Sequence, residues 1–412
     1  MFNIWVKLKH IFQDHLYRNS AFLIMSRLLN AAAGFLFWVI AAKFYSIAEV
    51  GTATALISTL GIIMLFSRLG FDVSLIRFIA NTDINKVFST GFSITTVASA
   101  FISLLYILFL RFFDQTIGLN FISGTFFIII AIFNSIFLIT GNMFIALRKG
   151  QHFFIQTILI SFRLFLLFPL AVFNSFGILL SLGLCYTLSV IFSLWMLRKE
   201  INFSFYRIDI PFLKQSIKYS VQSYISNILT ETPILILPLM VLHLIGQEET
   251  AKYYIAMAVG SLTMIVPNSL NHSLFVEGSR GQPLKQNIKK TVICAFSYLI
   301  PLTIIFSIWG KYILGFISKE YLDAYNLLVL VVITSFFDVI CLIYICVQNI
   351  KMRVEKNIRF NLIRFVLLTG FCYCFLQRFG IDGAGYAMLL THASLVLYIA
   401  VEFLYCKCEK RT

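Results

Sequence analysis

Charged residues are scarce in this sequence, and acidic residues are the scarcest of them. Only 12% of the 412 residues are charged and 59% are hydrophobic, whereas a soluble domain is about 25% charged. The mean hydropathy is +0.89. A soluble fold has too little interior to hide this much apolar surface, so the composition excludes one and predicts an all-α polytopic membrane protein.

Ordered cysteine motifs and long polar loops are also lacking. The eight cysteines show no Cys-x-x-Cys or Cys/His spacing, which argues against zinc and against a disulfide framework. The loops are too short for a soluble catalytic domain, and no clustered acid motif of a polymerase or glycosyltransferase is present. We therefore expect no enzyme activity, no catalytic residues and no metal site.

Twelve apolar stretches are long enough to cross a bilayer, which takes about 20 residues. They lie at about 20–42, 50–67, 88–110, 121–147, 153–173, 176–197, 216–245, 252–275, 289–309, 324–350, 358–378 and 382–405.

The basic residues are distributed unequally between the two sides of this predicted bundle. Of 33 Lys and Arg, six fall in the loops of one side and three within spans, and the others lie in the tails and loops of the opposite side. Positive loops stay in the cytoplasm, so both termini are predicted to be cytoplasmic. This bias accounts for most of the net charge of +15, and no nucleic-acid partner is needed to explain it.

The two halves of the chain resemble each other at an offset of about 200 residues. The segment 48–61 matches 248–261 in pattern, and 176–183 matches 379–387. Each half has six predicted spans, so both halves enter the membrane from the same side, as in transporters built from parallel repeats. The predicted domains are an amphipathic cytoplasmic segment (1–19), two six-helix lobes (20–197 and 216–405), a cytoplasmic linker (198–215) and a cytoplasmic tail (406–412).

A few polar residues interrupt the spans and need an explanation. An arginine at the centre of a membrane helix costs about 3 kcal/mol. Arg27 shares a helix face with Asn30, Arg163 lies in the fifth span, and Asn361 shares a face with Arg364 in the eleventh. Arginine binds phosphate bidentately and keeps its proton. These five residues are therefore the predicted binding site for an anionic substrate, such as a diphosphate, in a cavity between the lobes.

Two acids also lie in the interior of spans, Glu231 in the seventh and Asp338 in the tenth. In the alternative interpretation these acids pair with the arginines only to hold helices together. Three cations and two acids cannot pair completely, which argues against this for the whole set. The lone histidines His243, His272 and His392 are interpreted as satisfied or interfacial rather than functional.

Three segments resemble a known family. They are YSIAEVG at 45–51, FSRLGFDVSLIRFIA at 66–80 and FGIDGAGYA at 379–387. They are similar to the opening of the second helix, the stretch after it, and the Gly-rich turn into the last helix of Wzx-type polysaccharide flippases. Those proteins belong to the oligosaccharide flippase family of the MATE/MOP superfamily.

The resemblance implies two six-helix lobes that form a V around a central cavity. It implies a plasma-membrane transporter that flips a polyprenyl-(di)phosphate-linked oligosaccharide to the outer leaflet, for lipopolysaccharide O-antigen or another surface polysaccharide. Arg27, Arg163 and Arg364 would hold the phosphates. By analogy with MATE exporters, Glu231 and Asp338 would bind a coupling Na⁺ or H⁺, and no other cofactor is expected. Membrane lipid and other polysaccharide-assembly proteins are the expected partners.

Two other transporter types are alternatives to this interpretation. A MATE-like multidrug or cation antiporter has the same architecture, but its cavity should be dominated by acids and aromatics rather than by three arginines. A major-facilitator transporter also has twelve helices, but its Gly-x-x-x-Asp-Arg signature is missing after the second span.

Overall fold

The computed structural model describes residues 15–71, 75, 82–113, 120–203, 208–279, 283–351 and 353–409. Every regular element in these ranges is a helix, which confirms the predicted all-α class. Most of the predicted amphipathic segment (1–14), the end of the tail (410–412) and most of the 72–80 motif lie outside the described residues.

Fourteen α-helices and three 3₁₀ helices are described. The α-helices are α1 (His15–Phe44), α2 (Ile47–Ser67), α3 (Ile84–Phe113), α4 (Phe121–Ala146), α5 (Gly150–Ser161), α6 (Arg163–Leu166), α7 (Asn174–Leu197), α8 (Ile210–Ile245), α9 (Gln247–Gly260), α10 (Ile265–Ser279), α11 (Leu284–Ile317), α12 (Tyr325–Ile350), α13 (Val354–Phe379) and α14 (Asp382–Glu409). The 3₁₀ helices are Pro169–Phe173, Ser261–Met264 and Lys319–Ala324.

Eleven helical segments of the described chain are long and apolar enough to cross a membrane, against twelve predicted from the sequence. The difference lies at the predicted fifth span, 153–173, which is divided into α5, α6 and a 3₁₀ helix. The sidedness of the termini stays a prediction from the charge distribution.

The break in the fifth span has local causes. Thr157 and Ser161 donate their hydroxyls to the carbonyls of Phe153 and Thr157, at 2.9 and 2.8 Å, a back-bonding pattern that bends helices. Eight residues beyond Ser161, Pro169 has no N–H to continue an α-helical ladder, and a 3₁₀ helix begins there.

The described chain divides into two compact units. Unit 1 contains the residues up to Tyr45 and Thr59–Tyr224, and unit 2 contains Ser46–Ser58 and the residues from Ile225 onward. The first half of α2 is therefore counted with unit 2 although it belongs to the N-terminal half of the sequence. The lobe boundaries drawn from the sequence stay predictions.

The 45–51 motif has a structural role at the start of α2. The backbone N–H of Ser46 donates to Glu49 Oε2 at 2.8 Å, and that of Glu49 donates to Ser46 Oγ at 3.4 Å. This is a capping box, which satisfies N–H groups at a helix start. A Cβ at Gly51 would lie 1.7 Å from the carbonyl oxygen of Gln247, so only glycine allows this approach within unit 2.

Candidate functional site

Arg163 is the first residue of α6, directly after the break in the fifth span. Its guanidinium carbon lies 5.2 Å from the centre of the Phe37 ring on α1. One of its terminal nitrogens lies 3.6 Å from the point where a Cβ on Gly34 would be. Gly34 therefore leaves room for the guanidinium against α1, and the Phe37 ring offers a cation–π contact.

The charge of Arg163 has no acidic partner among the described residues. Its Nε is buried and makes no hydrogen bond, and none of the described ion pairs includes it. The residues 20–197 contain four acids, all outside the predicted spans: Glu49, Asp72, Asp83 and Asp114. A half-buried guanidinium with a free donor is ready to bind an anion, because Arg presents its N–H groups in a fork that matches phosphate.

Arg27 and Asn30 lie on the α1 face that Arg163 contacts. They precede Gly34 by seven and four residues, a spacing that repeats on one face of an α-helix, and both are exposed. No described contact joins either residue to Arg163. Seven residues of helix span about 10 Å, so Arg27 is about two turns from the guanidinium.

Gln156, seven residues before Arg163, serves the packing of unit 1. It is fully buried, and its Nε2 donates to the carbonyl oxygen of Phe137 and to Thr140 Oγ1, both at 3.0 Å. These bonds fasten α5 to α4 and leave this amide nitrogen no role toward a ligand.

A second group of ionisable residues lies in unit 2, where α14 packs against α12 and α13. Asp338 on α12 has its Oδ1 3.4 Å from Nε2 of His392 on α14. Arg364 on α13 is near enough to act electrostatically on Asp338, but the two form no described ion pair and the Nε of Arg364 is buried without a hydrogen-bond partner. The structure thus places a histidine beside Asp338 and leaves Arg364 at longer range.

The hydrogen bonding of His392 defines one of its two ring nitrogens. Nδ1 lies 2.8 Å from the carbonyl oxygen of Met388. A carbonyl oxygen only accepts hydrogen bonds, so Nδ1 carries a proton and donates it. The other nitrogen, Nε2, lies 3.4 Å from Asp338 Oδ1 and makes no hydrogen bond.

The last two predicted site residues, Asn361 and Glu231, lie on two different helices of unit 2. Asn361 is buried at 2% exposure on α13, three residues before Arg364. Glu231 is half-buried on α8, two residues before Pro233. The described interactions of Asp338 are with His392, Arg364 and Cys341, so Glu231 is not among them. In the described part of the chain no three His, Cys, Asp or Glu side chains form a group that could hold a metal.

Residues 16–275 match the family described as "Polysaccharide biosynthesis protein". The chain belongs to this family. The match covers more than half of the sequence, and within unit 1 it includes α1, Arg163 and Gln156. No curated protein matches the chain in sequence.

Solved structures similar to this family member are transporters and flippases. An inward-facing MATE-family multidrug-resistance transporter of the MOP superfamily matches with a TM-score of 0.73 at 12% identity, over 93% of this chain and 96% of that chain. The lipid II flippase MurJ, in an inward closed conformation, matches with a TM-score of 0.72 at 13% identity, over 93% and 87%.

A MOP-superfamily transporter from Pyrococcus furiosus, described with a binding pocket of reversed polarity, matches with a TM-score of 0.65 at 11% identity. The match covers 95% of this chain and 96% of that chain. At these identities the similarity shows the fold. The family member therefore has the same all-helical fold as these solved structures.

Sequence reasoning missed one residue of the unit 2 group. His392 was interpreted as a satisfied or interfacial histidine, and the structure places its Nε2 beside Asp338. The signal available in the sequence was its position near the middle of an apolar span, where an ionisable group is costly.

Proposed function

We propose that this protein flips a polyprenyl-(di)phosphate-linked oligosaccharide from the cytoplasmic to the outer leaflet of the plasma membrane, as a step in the synthesis of a surface polysaccharide such as O-antigen or capsule. The polysaccharide biosynthesis family supports the substrate class. The fold shared with transporters and a lipid flippase supports movement across the membrane.

The observation that carries this proposal is the unpaired guanidinium of Arg163. A phosphate accepts two parallel hydrogen bonds from an arginine fork, and each hydrogen bond to a charged group contributes about 1.5–3 kcal/mol. Because none of the described ion pairs includes Arg163, a bound phosphate would offset the cost of holding that charge in the membrane. The phosphate of the lipid carrier is the substrate group that fits this site.

The other predicted binding residues extend the proposed path for the headgroup. Arg27 and Asn30 would guide the phosphate and sugar along α1, and Asn361 with Arg364 would act from unit 2. The sugar hydroxyls would pass a polar route while the polyprenyl tail stays in lipid, since burying unpaired hydroxyls in hydrocarbon costs several kcal/mol each. Alternating access between the two leaflets would complete the step.

A deletion strain tests the proposal directly. We expect a polyprenyl-linked oligosaccharide to accumulate in its lipid extract while the surface polysaccharide disappears. The intact gene should reverse both effects, and the Arg163→Ala gene should reverse neither although the protein reaches the membrane in normal amounts.

Arg378→Ala is a matched control, because Arg378 is exposed in the last turn of α13. It should restore the surface polysaccharide as well as the wild type does. Full restoration by Arg163→Ala would exclude Arg163 from the site, and an unchanged lipid extract in the deletion strain would exclude the substrate.

A MATE-like multidrug or cation antiporter is the second candidate, favoured by the MATE similarity at a TM-score of 0.73. Such a protein would extrude cations, and an unpaired arginine would repel a cationic substrate. A deletion strain with normal surface polysaccharide and new sensitivity to cationic drugs would favour this function.

A further inference from the structure

The helix α7 passes beside Arg163 in unit 1, and two contacts fix its register against α5. Ser189 on α7 donates its hydroxyl to the carbonyl oxygen of Gln156 on α5, at 3.5 Å. Seven residues after Gln156, Arg163 interacts electrostatically with Cys185 and Tyr186 on α7. Residue numbers thus rise on one side of this contact and fall on the other, so α5 and α7 run antiparallel. Arg163 and Tyr186 therefore lie on the same side of the contact between Gln156 and Ser189.

The direction of the Tyr186 side chain follows from this register. At a rise of 1.5 Å per residue, Arg163 is about 10 Å beyond Gln156, and the backbone of Tyr186 is about 4.5 Å beyond Ser189. Side chains on a helix lean toward its N-terminus, and along α7 that is the direction of Arg163. The phenol hydroxyl of Tyr186 is therefore carried toward the level of the guanidinium.

The hydroxyl of Tyr186 makes no hydrogen bond with the described residues. The described interactions of this side chain are a ring contact with Phe137 on α4, at 5.1 Å between ring centroids, and the electrostatic interactions with Arg163 and Cys185. The side chain is half-buried, and a tyrosine hydroxyl in apolar surroundings usually has a partner. Phe137 packs against the ring, so the hydroxyl is the part of Tyr186 that is available to a ligand.

Arg163 and Tyr186 together offer hydrogen-bond donors from two helices to one anionic ligand. The arginine fork takes two oxygens of a single phosphate. The two side chains make no described hydrogen bond with each other, so a ligand that uses both must extend from one to the other. A diphosphate can do this, because its second phosphorus carries oxygens that the fork leaves free. A membrane lipid with a single phosphate has no second set of oxygens.

We propose that Tyr186 is a specificity-determining residue that selects a diphosphate-linked lipid over lipids with a single phosphate, with Arg163 holding one phosphate and the Tyr186 hydroxyl donating to the other. This inference rests on the proposed flippase function and narrows its substrate to the diphosphate class. A neutral phenol donates a hydrogen bond to an anion, so the selection needs no proton transfer.

Binding to the purified protein in detergent tests the selection without any need for transport. Isothermal titration calorimetry compares farnesyl diphosphate with farnesyl monophosphate. The wild type should bind the diphosphate at least about tenfold more tightly, the effect of one hydrogen bond to a charged group. Tyr186→Phe keeps the ring and its contact with Phe137. It should lose this advantage for the diphosphate and bind the monophosphate as the wild type does.

Control variants and a control ligand separate the possible outcomes. Tyr373→Phe removes a hydroxyl from an exposed ring on α13 and should bind both lipids as the wild type does, whereas Arg163→Ala should weaken both. Inorganic diphosphate should bind more weakly than farnesyl diphosphate, because it has no apolar tail to bury. Equal affinity for inorganic diphosphate would overturn the lipid as the ligand. Unchanged diphosphate binding in Tyr186→Phe, or an equal loss for the monophosphate, would overturn the selection.

Transport gives a second measurement. The lipid extract of the deletion strain is incorporated into proteoliposomes with the purified protein, and flipping is followed by oxidation of the newly exposed sugar with membrane-impermeant periodate. Tyr186→Phe should flip about tenfold more slowly at low lipid concentration and approach the wild-type rate at saturation, since it loses a contact made by the bound substrate. An unchanged rate at low lipid concentration would overturn the proposal. An extract without flippable lipid would overturn the proposed flippase function alone, and the binding comparison would still decide the selection.

Discussion

Each half of this chain places one arginine in the corresponding membrane span, and the two arginines have different surroundings. Arg163 in unit 1 lies against Gly34 and Phe37 and has a buried Nε without a partner. Arg364 in unit 2 likewise has a buried Nε without a hydrogen-bond partner, but the carboxylate of Asp338 lies within electrostatic range of it. Similar positions in the repeat therefore hold two arginines without a described ion pair, one with an acid in electrostatic range and one for which the described residues supply none.

The difference indicates which of the two units is better suited to bind an anionic ligand. A cation without an acid gains most when an anionic ligand arrives, whereas a cation beside a carboxylate gains less from a ligand and instead tunes that carboxylate. Unit 1 is accordingly better suited than unit 2 to bind the phosphate. The acids follow the same division, because Glu231 and Asp338, the acids in the interior of predicted spans, both belong to unit 2.

The largest effect should be on stability, and it should differ between the units. Asp338→Ala removes the carboxylate that lies 3.4 Å from His392 and within electrostatic range of Arg364, and removing one partner of a buried ion pair costs about 3–5 kcal/mol. The partial exposure of Asp338 puts the expected loss at the lower end. Arg163→Ala removes an unpaired charge and a single cation–π contact, which contributes about 0.5–1 kcal/mol.

Melting temperatures of the two purified variants, measured in one detergent, give this comparison. Asp338→Ala should melt well below Arg163→Ala, and Asp338→Asn should lie between Asp338→Ala and the wild type. Equal losses in Asp338→Ala and Arg163→Ala would show that Arg163 has a partner of its own and would remove the contrast between the units.

Much of the fold was predictable because apolar run length fixes where helices cross a membrane. The predicted spans 121–147 and 324–350 agree with α4 and α12 to within one residue at each end. Helix ends were less predictable. The helix α8 begins at Ile210 and α11 at Leu284, before the apolar runs that start at 216 and 289, since a helix continues past the hydrocarbon region and hydropathy does not mark its end.

The break at residue 162 also could not be predicted from hydropathy. The stretch 153–173 is mostly apolar, and apolarity does not separate one long helix from three short ones. Ser161 and Pro169 were visible in the sequence, but serine and proline also occur inside continuous membrane helices. The continuous helix α8 contains Pro233 and Pro238.

The candidate site was predictable residue by residue but not as groups. Arg163, Arg364 and Asp338 stand out because ionisable residues are costly inside a membrane. Helical periodicity shows which residues share a face of one helix, but not which faces of different helices meet. The pairing of Asp338 with His392 depends on the packing of α12 against α14, and for that reason His392 was not recognised.

The next largest contrast should be in transport. Arg163→Ala should lower flipping by about 100-fold, because loss of two charge-assisted hydrogen bonds costs about 3 kcal/mol or more. Arg364→Ala should lower it by only about tenfold, since Asp338 lies within electrostatic range of that charge and partly offsets it. Periodate accessibility of the reconstituted lipid extract measures both rates. An equal or larger effect of Arg364→Ala would reverse the assignment of phosphate binding to unit 1.

A smaller and graded effect is expected at Gly34. In Gly34→Ala the new Cβ would lie 3.6 Å from the Arg163 guanidinium, an ordinary contact, so transport should be unchanged. The branched side chain of Gly34→Leu would displace the guanidinium and lower flipping by about tenfold, the loss of about 1.4 kcal/mol. Gly370→Leu on α13 is the control, because nothing lies within 4 Å of its Cβ position. Equal activity of all three variants would mean that the contact of the Arg163 guanidinium with α1 is not needed for transport.

The smallest effect is expected at the amides that precede the two arginines by seven residues, Gln156 and Asn357. Gln156 donates to the carbonyl of Phe137, and Asn357 donates to Asn349 Oδ1 at 2.6 Å. Each amide joins its helix to the preceding helix. The two units are therefore similar in this packing contact and differ in the charges near the two arginines. Gln156→Met keeps an unbranched side chain and loses these hydrogen bonds, which contribute about 1 kcal/mol each. It should lower the melting temperature slightly and leave flipping unchanged. A selective loss of flipping without a change in melting would instead place Gln156 on the substrate path, and would extend the phosphate site of unit 1 from α1 to α4.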